Sequence, residues 1–419
     1  MTSKSSGSQI LRSLFRDGRL LFTTRILRLF AYGFLSVILA LYLAQAGLSL
    51  KSIGLLLTLT LVGDMGISLW ITTHADRIGR RKMLILGAML MLFAGVVFAF
   101  TNNFFLLVVA AMIGVISPSG NEIGPFLSVE QASLTQTSPG EKRTHIFAWY
   151  NMLGSFSTAT GALIGGGLAH FLQRSGMSVL WSYRVDVIVY SCIGLLLALI
   201  FSMLSPAVEV KSSVKPEWSV DTPKTQFGLH RSKGIVVKLS ALFALDAFGG
   251  GFVIQSFVAY WFFKRYGVNP AILGSIFFGA NVLAGISALA AAHVAEKIGL
   301  INTMVFTHIP SNILLILVPI MPNLPLAIAM LLLRFSISQM DVPTRQSYTM
   351  AVVEPDERSA ASGVTAVARS VGAAISPAIA GPLLASATLL SVPFFLSGGL
   401  KIIYDLLLYR SFKATQHLK

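Results

Sequence analysis

The sequence predicts an all-α polytopic membrane protein, with about twelve transmembrane helices arranged as two pseudo-symmetric six-helix bundles. Three observations carry this. Apolar runs of about 20 residues, the length that spans a bilayer as a helix, recur along the 419 residues. Charged residues make up 12% of the chain and hydrophobic ones 54%, where soluble domains carry about 25% charged. One polar stretch, much longer than any other link, divides the chain near its middle. A β-barrel would alternate apolar and polar residues, and these runs do not.

Taken in order, the first span is expected near Leu20–Ala46, behind a basic interfacial segment with Arg12, Arg16 and Arg19. The second and third, Ile53–Thr73 and Met83–Thr101, flank a short basic loop. The fourth runs from Phe104 to about Thr135, the fifth covers Ile146–Phe171 and the sixth Val179–Leu204. Ser205–Gly234 is the long polar connector, with Lys211, Lys215, Lys224, Arg231 and Lys233. The later spans fall near Ile235–Phe263, Ala271–Ala295, Leu300–Met321, Leu324–Val353, Ser359–Ala387 and Val392–Tyr409. The expected organisation is therefore an N-terminal bundle over 1–204, a connector over 205–234 and a C-terminal bundle over 235–419.

The formal charge is +15 and mean hydropathy is +0.75. In a soluble protein such a charge suggests nucleic acid. Here the cations sit in particular loops, so a lipid bilayer is the expected partner and nucleic acid is not. Nearly all Lys and Arg lie in the even-numbered loops and at the two ends. The odd-numbered loops carry only Lys51, Arg174, Lys264 and Arg265. Basic residues stay on the cytoplasmic side. Both termini and the connector are therefore expected in the cytoplasm, in a multi-pass protein of the plasma or inner membrane.

The lone Cys192 permits no internal disulfide and no cysteine-based metal cluster. The N-terminus lacks a short apolar core with a cleavage site, so no signal peptide is expected. No Gly-x-x-x-x-Gly-Lys-Ser/Thr loop and no His-Glu-x-x-His occurs. No cofactor, metal or enzymatic activity is expected, and the working unit is expected to be a monomer.

The loop between the second and third spans reads His74-Ala75-Asp76-Arg77-Ile78-Gly79-Arg80-Arg81-Lys82. Asp76-Arg77-Ile78-Gly79 returns in the second half as Glu296-Lys297-Ile298-Gly299. At the same offset Gly47 meets Gly267 and Gly54 meets Gly274. Further on, Gln131, Glu141, Arg143, Gly166 and Leu168 correspond to Gln346, Asp356, Arg358, Gly381 and Leu383. Internal repeats of this kind mark transporters. The Asp-Arg-x-Gly-Arg-Arg pattern, placed between spans two and three, resembles the signature loop of the major facilitator superfamily, and the resemblance covers nearly the whole chain. The pattern's usual glycine four residues before the aspartate is Thr72 here. The resemblance implies a secondary transporter working by alternating access.

An ionisable group inside a span costs at least about 2.5–3.5 kcal/mol at the helix centre, so such groups are the site candidates. Glu122 (in Ser119-Gly120-Asn121-Glu122-Ile123-Gly124-Pro125), Asp246, Asp341, Arg369, Asp64 and Arg28 form the expected substrate and proton pathway. Asp341 is followed by Pro343, which is expected to break the helix. Asp341 and Arg369 lie at similar depth and read either as titratable substrate contacts or as a permanent ion pair. Arg28 reaches inward with Tyr32, while Arg25 is expected to snorkel to the surface. Arg184 with Asp186, and Lys401 with Asp405, read as local neutralisation. His74 and His293 read as interfacial.

Glu130 lies near the cytoplasmic end of the fourth span. In the resembled family an acid here pairs with the loop's arginines. Its repeat counterpart is Arg345, so the polarity is swapped between halves. Two cytoplasmic latches, closed in the outward-facing state, are expected: Glu130 with Arg77 or Arg80, beside Asp76 and Gly79, and Arg345 with Glu296.

The expected function is movement of a small organic solute coupled to protons carried by Glu122, Asp246 or Asp341. Outward transport is favoured by the glycine-rich fifth span (Gly154, Gly161, Gly165, Gly166, Gly167), which resembles a packing motif of exporters. The alternatives are a proton-coupled importer of an anionic or zwitterionic metabolite, and a non-transporting scaffold or receptor.

Overall fold

A chain that is apolar over most of its length must satisfy its backbone polar groups within each segment, and helices do so without water. The computed structural model describes residues 16–122, 124–137, 143–209, 229–354 and 357–412, and every regular element among them is helical. Residues 210–228 of the connector, Arg12, and the repeat positions Glu141 and Asp356 lie outside the described residues.

The first expected span is a bent pair, α1 (Arg16–Ser36) and α2 (Leu39–Gln45), turning by 46°. The second and third are α3 (Leu50–Ile78) and α4 (Arg80–Phe100). The fourth is broken around Glu122, between Gly120 and Pro125: α5 (Phe104–Ile113) stops, and α6 (Phe126–Thr137) resumes after Pro125. The fifth and sixth are α7 (Arg143–Arg174) and α8 (Val179–Ser202). In the second half, α9 (Lys233–Gly251) and α10 (Gln255–Tyr266) make one span. They are followed by α11 (Pro270–Ile298) and α12 (Leu300–Leu317). The tenth span is broken into α13 (Leu324–Phe335) and α14 (Asp341–Val352), and the chain closes with α15 (Arg358–Ala385) and α16 (Val392–Phe412). Among the described residues, eight helices are long and apolar enough to cross a membrane, nine with the bent pair. The break in the tenth span falls at 336–340, ahead of Asp341. Pro343 does not break the helix. It sits in the first turn of α14, where its missing N–H costs nothing.

Gly79 and Gly299 each form the whole link between two long helices, α3–α4 and α11–α12. Their φ values of +117° and +86° lie where a side chain would be strained. The repeated loop thus has the same backbone solution in both halves.

The described residues group into two compact units. One comprises Met1–Leu48, Val62–Lys215 and Val268–Phe278, and the other Ser49–Leu61, Pro216–Gly267 and Gly279–Lys419. In the first, α1 lies along α7 and α4 along α8; in the second, α9 lies along α15 and α12 along α16. Small residues set these approaches. A Cβ on Gly161 would stand 2.0 Å from the Phe30 carbonyl oxygen, and one on Gly372 2.2 Å from that of Ala244.

Four repeat-related glycines account for the two exchanged segments. Within the second unit, a Cβ on Gly54 would lie 3.0 Å from Gly381 Cα. Within the first, a Cβ on Gly274 would lie 3.3 Å from Gly166 Cα. The sequence pairs Gly54 with Gly274, and Gly166 with Gly381, as repeat equivalents, so the two crossings are copies of one contact. Thr58 Oγ1 adds a hydrogen bond there by accepting the Ala378 N–H at 2.9 Å.

Candidate functional site

Buried charges on a helix must find partners on neighbouring helices, and each unit solves this separately. In the first unit the donors come from α1. Arg28 is 0% exposed and holds Glu130, also 0% exposed, through Nη1 and Nη2 at 2.7 Å each. Arg28 Nε also reaches Glu122 at 3.0 Å. Thr24 Oγ1 and the Tyr150 hydroxyl donate to Glu130 as well. Arg25 does not snorkel. It is buried, donates to Glu122, to Asn151 and to the Tyr150 carbonyl, and stacks on the Tyr150 ring at 4.2 Å. Two arginines of α1 are thus matched by two glutamates, Glu122 inside the break of the fourth span and Glu130 in the helix that follows it.

The first expected latch is not made in this structure. Glu130 pairs with Arg28 rather than with Arg77 or Arg80, because a guanidinium on the adjacent helix reaches it at its own depth. Arg77 is exposed. Arg80 bonds Asp76 at 2.8 Å and the Val208 carbonyl at 3.3 Å. The partner of the signature loop is Glu209, whose carboxylate accepts the backbone N–H groups of Arg80 at 2.7 Å and Arg81 at 3.2 Å. It thereby caps the N-terminus of α4, where Gly79 has no side chain to do so.

In the second unit the polarity is reversed. Asp246 on α9 takes Arg345 Nη1 at 2.9 Å and Lys401 Nζ at 2.7 Å. Arg345 also bridges to Asp341, one turn back, at 3.2 Å. The second expected latch is likewise not made in this structure: Arg345 pairs inside the unit, and Glu296 is exposed at the loop. Asp341 does not pair with Arg369. Lys401 does not neutralise Asp405 within the helix; Asp405 accepts instead from His308 Nδ1 at 2.9 Å and from Asn312 at 3.4 Å. His308 Nε2 stands 3.9 Å from Asp246 Oδ1. His308, Lys401 and Asp405 were missed as site residues, though each lies well inside a span and meets the test that singles out Asp246.

The remaining candidates make no ion pair with either network among the described residues. Asp64 is half-buried on α3 and accepts Ser68 Oγ at 3.4 Å. Arg369 is half-buried on α15 and makes no ion pair among the described residues. It lies on a stripe of small and polar residues one turn apart, with Ser362, Ala366 and Ser370 exposed. A separate stripe of the same helix, Val367, Val371, Ile375 and Ile379, is exposed and apolar. Arg184 bonds Asn102 at 3.1 Å rather than Asp186. The Asp186 carboxylate is fully buried, and neither oxygen has a partner among the described residues. No three His, Cys, Asp or Glu side chains converge to hold a metal among the described residues.

The family model of the Major Facilitator Superfamily matches residues 21–377. The uncharacterized membrane protein YJR124C of Saccharomyces cerevisiae (strain ATCC 204508 / S288c) is 32% identical over 418 residues, covering 94% of this chain and 93% of the relative. Among solved structures, the D-xylose-proton symporter superposes with a TM-score of 0.72 at 16% identity, over 94% of this chain and 97% of that one. A bacterial homolog of the human lysosomal transporter Spinster, in an inward-facing and occupied conformation, superposes with a TM-score of 0.71 at 17% identity, over 100% and 98%. At these identities the structural likeness speaks for the fold.

Proposed function

The chain belongs to the Major Facilitator Superfamily, and on that premise we propose that it is a secondary active transporter of a small organic solute, coupled to protons and working by alternating access. The observation that carries the reading is Arg369. A guanidinium in mid-span that makes no ion pair among the described residues, on a stripe of exposed small and polar residues, faces water rather than lipid. Such a group binds an anionic moiety of a solute. Asp64 is a half-buried acid of the first unit that makes no ion pair among the described residues, so a zwitterionic solute fits as well. Glu122, Arg28, Asp246 and Asp341 act in this reading as the charged framework, and the proton is carried among the acids of that framework.

The connector and both ends lie in the cytoplasm by their Lys and Arg content. Outward transport remains the working direction, resting on the glycine-rich fifth span alone. The D-xylose-proton symporter shows that the same fold serves a proton-coupled sugar carrier, and import of an anionic or zwitterionic metabolite is the competing direction.

The test is flux in proteoliposomes under an imposed pH gradient, with a panel of anionic, zwitterionic and neutral metabolites. Wild-type protein moves at least one solute, and Arg369→Gln abolishes that movement while monodisperse protein is still recovered. Absence of flux for the whole panel supports a scaffold or receptor instead.

A further inference from the structure

Within the spans of the second unit every described carboxylate is committed. Asp246 and Asp341 are taken by Arg345 and Lys401, and Asp405 by His308 and Asn312. Two mid-span arginines are left without an ion pair among the described residues. One is Arg369 on α15. The other is Arg334, half-buried in the last turn of α13. Asp341 and Asp246 act on Arg334 only at longer range. Of its three nitrogens only Nε is sealed off, and it has no hydrogen-bond partner among the described residues. The guanidinium lies 4.9 Å from the Phe335 ring centroid, a contact that holds the cation in place and leaves its charge uncancelled.

Both arginines sit at mid-depth. Arg334 stands about ten residues past Leu324, and Arg369 about eleven past Arg358. At about 1.5 Å per residue, from opposite faces of a core about 30 Å thick, each reaches roughly its middle. The level of Arg334 is polar. α11 runs beside α13 in the same direction: a Cβ on Gly279 would stand 3.2 Å from Leu332 Cδ2, and Ser287 Oγ accepts the Gln339 N–H at 3.3 Å. Between those two contacts Arg334 falls level with Asn281, whose Nδ2 donates to Gln255 Oε1 at 3.3 Å. Gln255 opens α10 after the break at 252–254, and Arg334 precedes the break at 336–340. Interrupted helices at this depth are tolerated where they line a water-filled space.

We propose that Arg334 joins Arg369 in binding the solute, and that the solute is an organic dianion, a dicarboxylate or a phosphate monoester. This rests on the transport reading and narrows its solute. A mid-span cation without a counter-charge is costly, and two of them call for a ligand that brings two negative charges. A monoanion satisfies one guanidinium and strands the other, and a neutral or cationic solute leaves both bare. The planar fork of Arg takes the oxygens of a carboxylate or phosphate in pairs, so the two residues select for such groups over a halide. The amides of Asn281 and Gln255, at the level of Arg334, suit the polar atoms next to the anionic group.

The experiment treats the full chain in lipid nanodiscs with phenylglyoxal, which reacts with accessible guanidiniums, and maps the adducts by peptide mass spectrometry. Arg334 and Arg369 are modified, while Arg28 and Arg345, held in buried pairs, are spared. Succinate or glycerol 3-phosphate slows modification at both positions, and butyrate and glycerol do not; the dianion that protects identifies which class is bound. Arg334→Gln weakens the binding of that dianion about 10–100-fold, read from its effect on the melting midpoint, and Arg334→Lys weakens it less. Arg334 as unreactive as Arg28 overturns the proposal, as does equal protection by butyrate or protection by neither dianion. Protection requires no transport. Its persistence without any flux removes the transport reading, whereas flux of a monoanion or neutral solute without protection removes this proposal alone.

Discussion

Glu130 grips Arg28 with both carboxylate oxygens at 2.7 Å, with neither side chain exposed to solvent. Breaking such a pair leaves an uncompensated buried charge. Glu130→Gln is expected to cost about 3 kcal/mol, the low end for a buried pair, because Glu122 still holds Arg28 Nε. Asp186→Asn is the contrast. Its carboxylate has no partner to lose, so the variant keeps or raises the wild-type melting midpoint. Thermal unfolding in detergent reads both, and equal losses from the two substitutions would refute the assignment.

The glycine crossings make a second prediction. Gly54→Val places a branched side chain where even a Cβ would lie 2.3 Å from the Pro377 carbonyl oxygen. Overpacking of this kind costs about 1–3 kcal/mol or more. Gly66 has open space around its Cβ position, so Gly66→Val serves as the control. Recovery of monodisperse protein is expected to fall for the first and not for the second.

Glu357 offers a prediction in pH. Burial raises its carboxyl, but hydrogen bonds from Ser232 and from the N–H groups of His230, Ser232 and Arg231 outweigh this and hold it at about 2, below its ordinary 4.5. A carboxyl lowered in the folded state contributes stability that is complete above about pH 4.5 and lost as pH falls toward 2. The melting midpoint should therefore drop through that window. Glu357→Gln flattens that part of the profile. An unchanged acid limb in the variant would place the dependence elsewhere.

The fold was legible because spanning length, loop cations and the repeat are properties of the linear sequence. The matched loops at Gly79 and Gly299, and the glycine equivalences, were legible for the same reason. Depth was legible too, which is why Glu122, Asp246 and Asp341 were singled out, while Arg345 came from the repeat. Azimuth was not. Whether Arg345 meets Glu296 or Asp246 depends on the rotation of α14 about its axis and on which helices flank it, and no count along the chain supplies that. The i,i+4 spacing of Lys401 and Asp405 suggested a local pair, yet each side chain turned to a better partner on another helix. Glu209 was hidden because it read as the start of a polar tail, while its acceptors' partners lie about 130 residues earlier, at Arg80 and Arg81.

The placement of Arg25 and Arg28 bears on how the protein is made. Their carboxylates, Glu122 and Glu130, follow 97 and 102 residues later. At about 5–20 residues per second, the ribosome exposes the first helix roughly 5–20 s before its counter-charges exist. During that interval the helix carries two bare guanidiniums and has no stable home in hydrocarbon. Burial of that helix is therefore complete only once the fourth span has supplied its counter-charges.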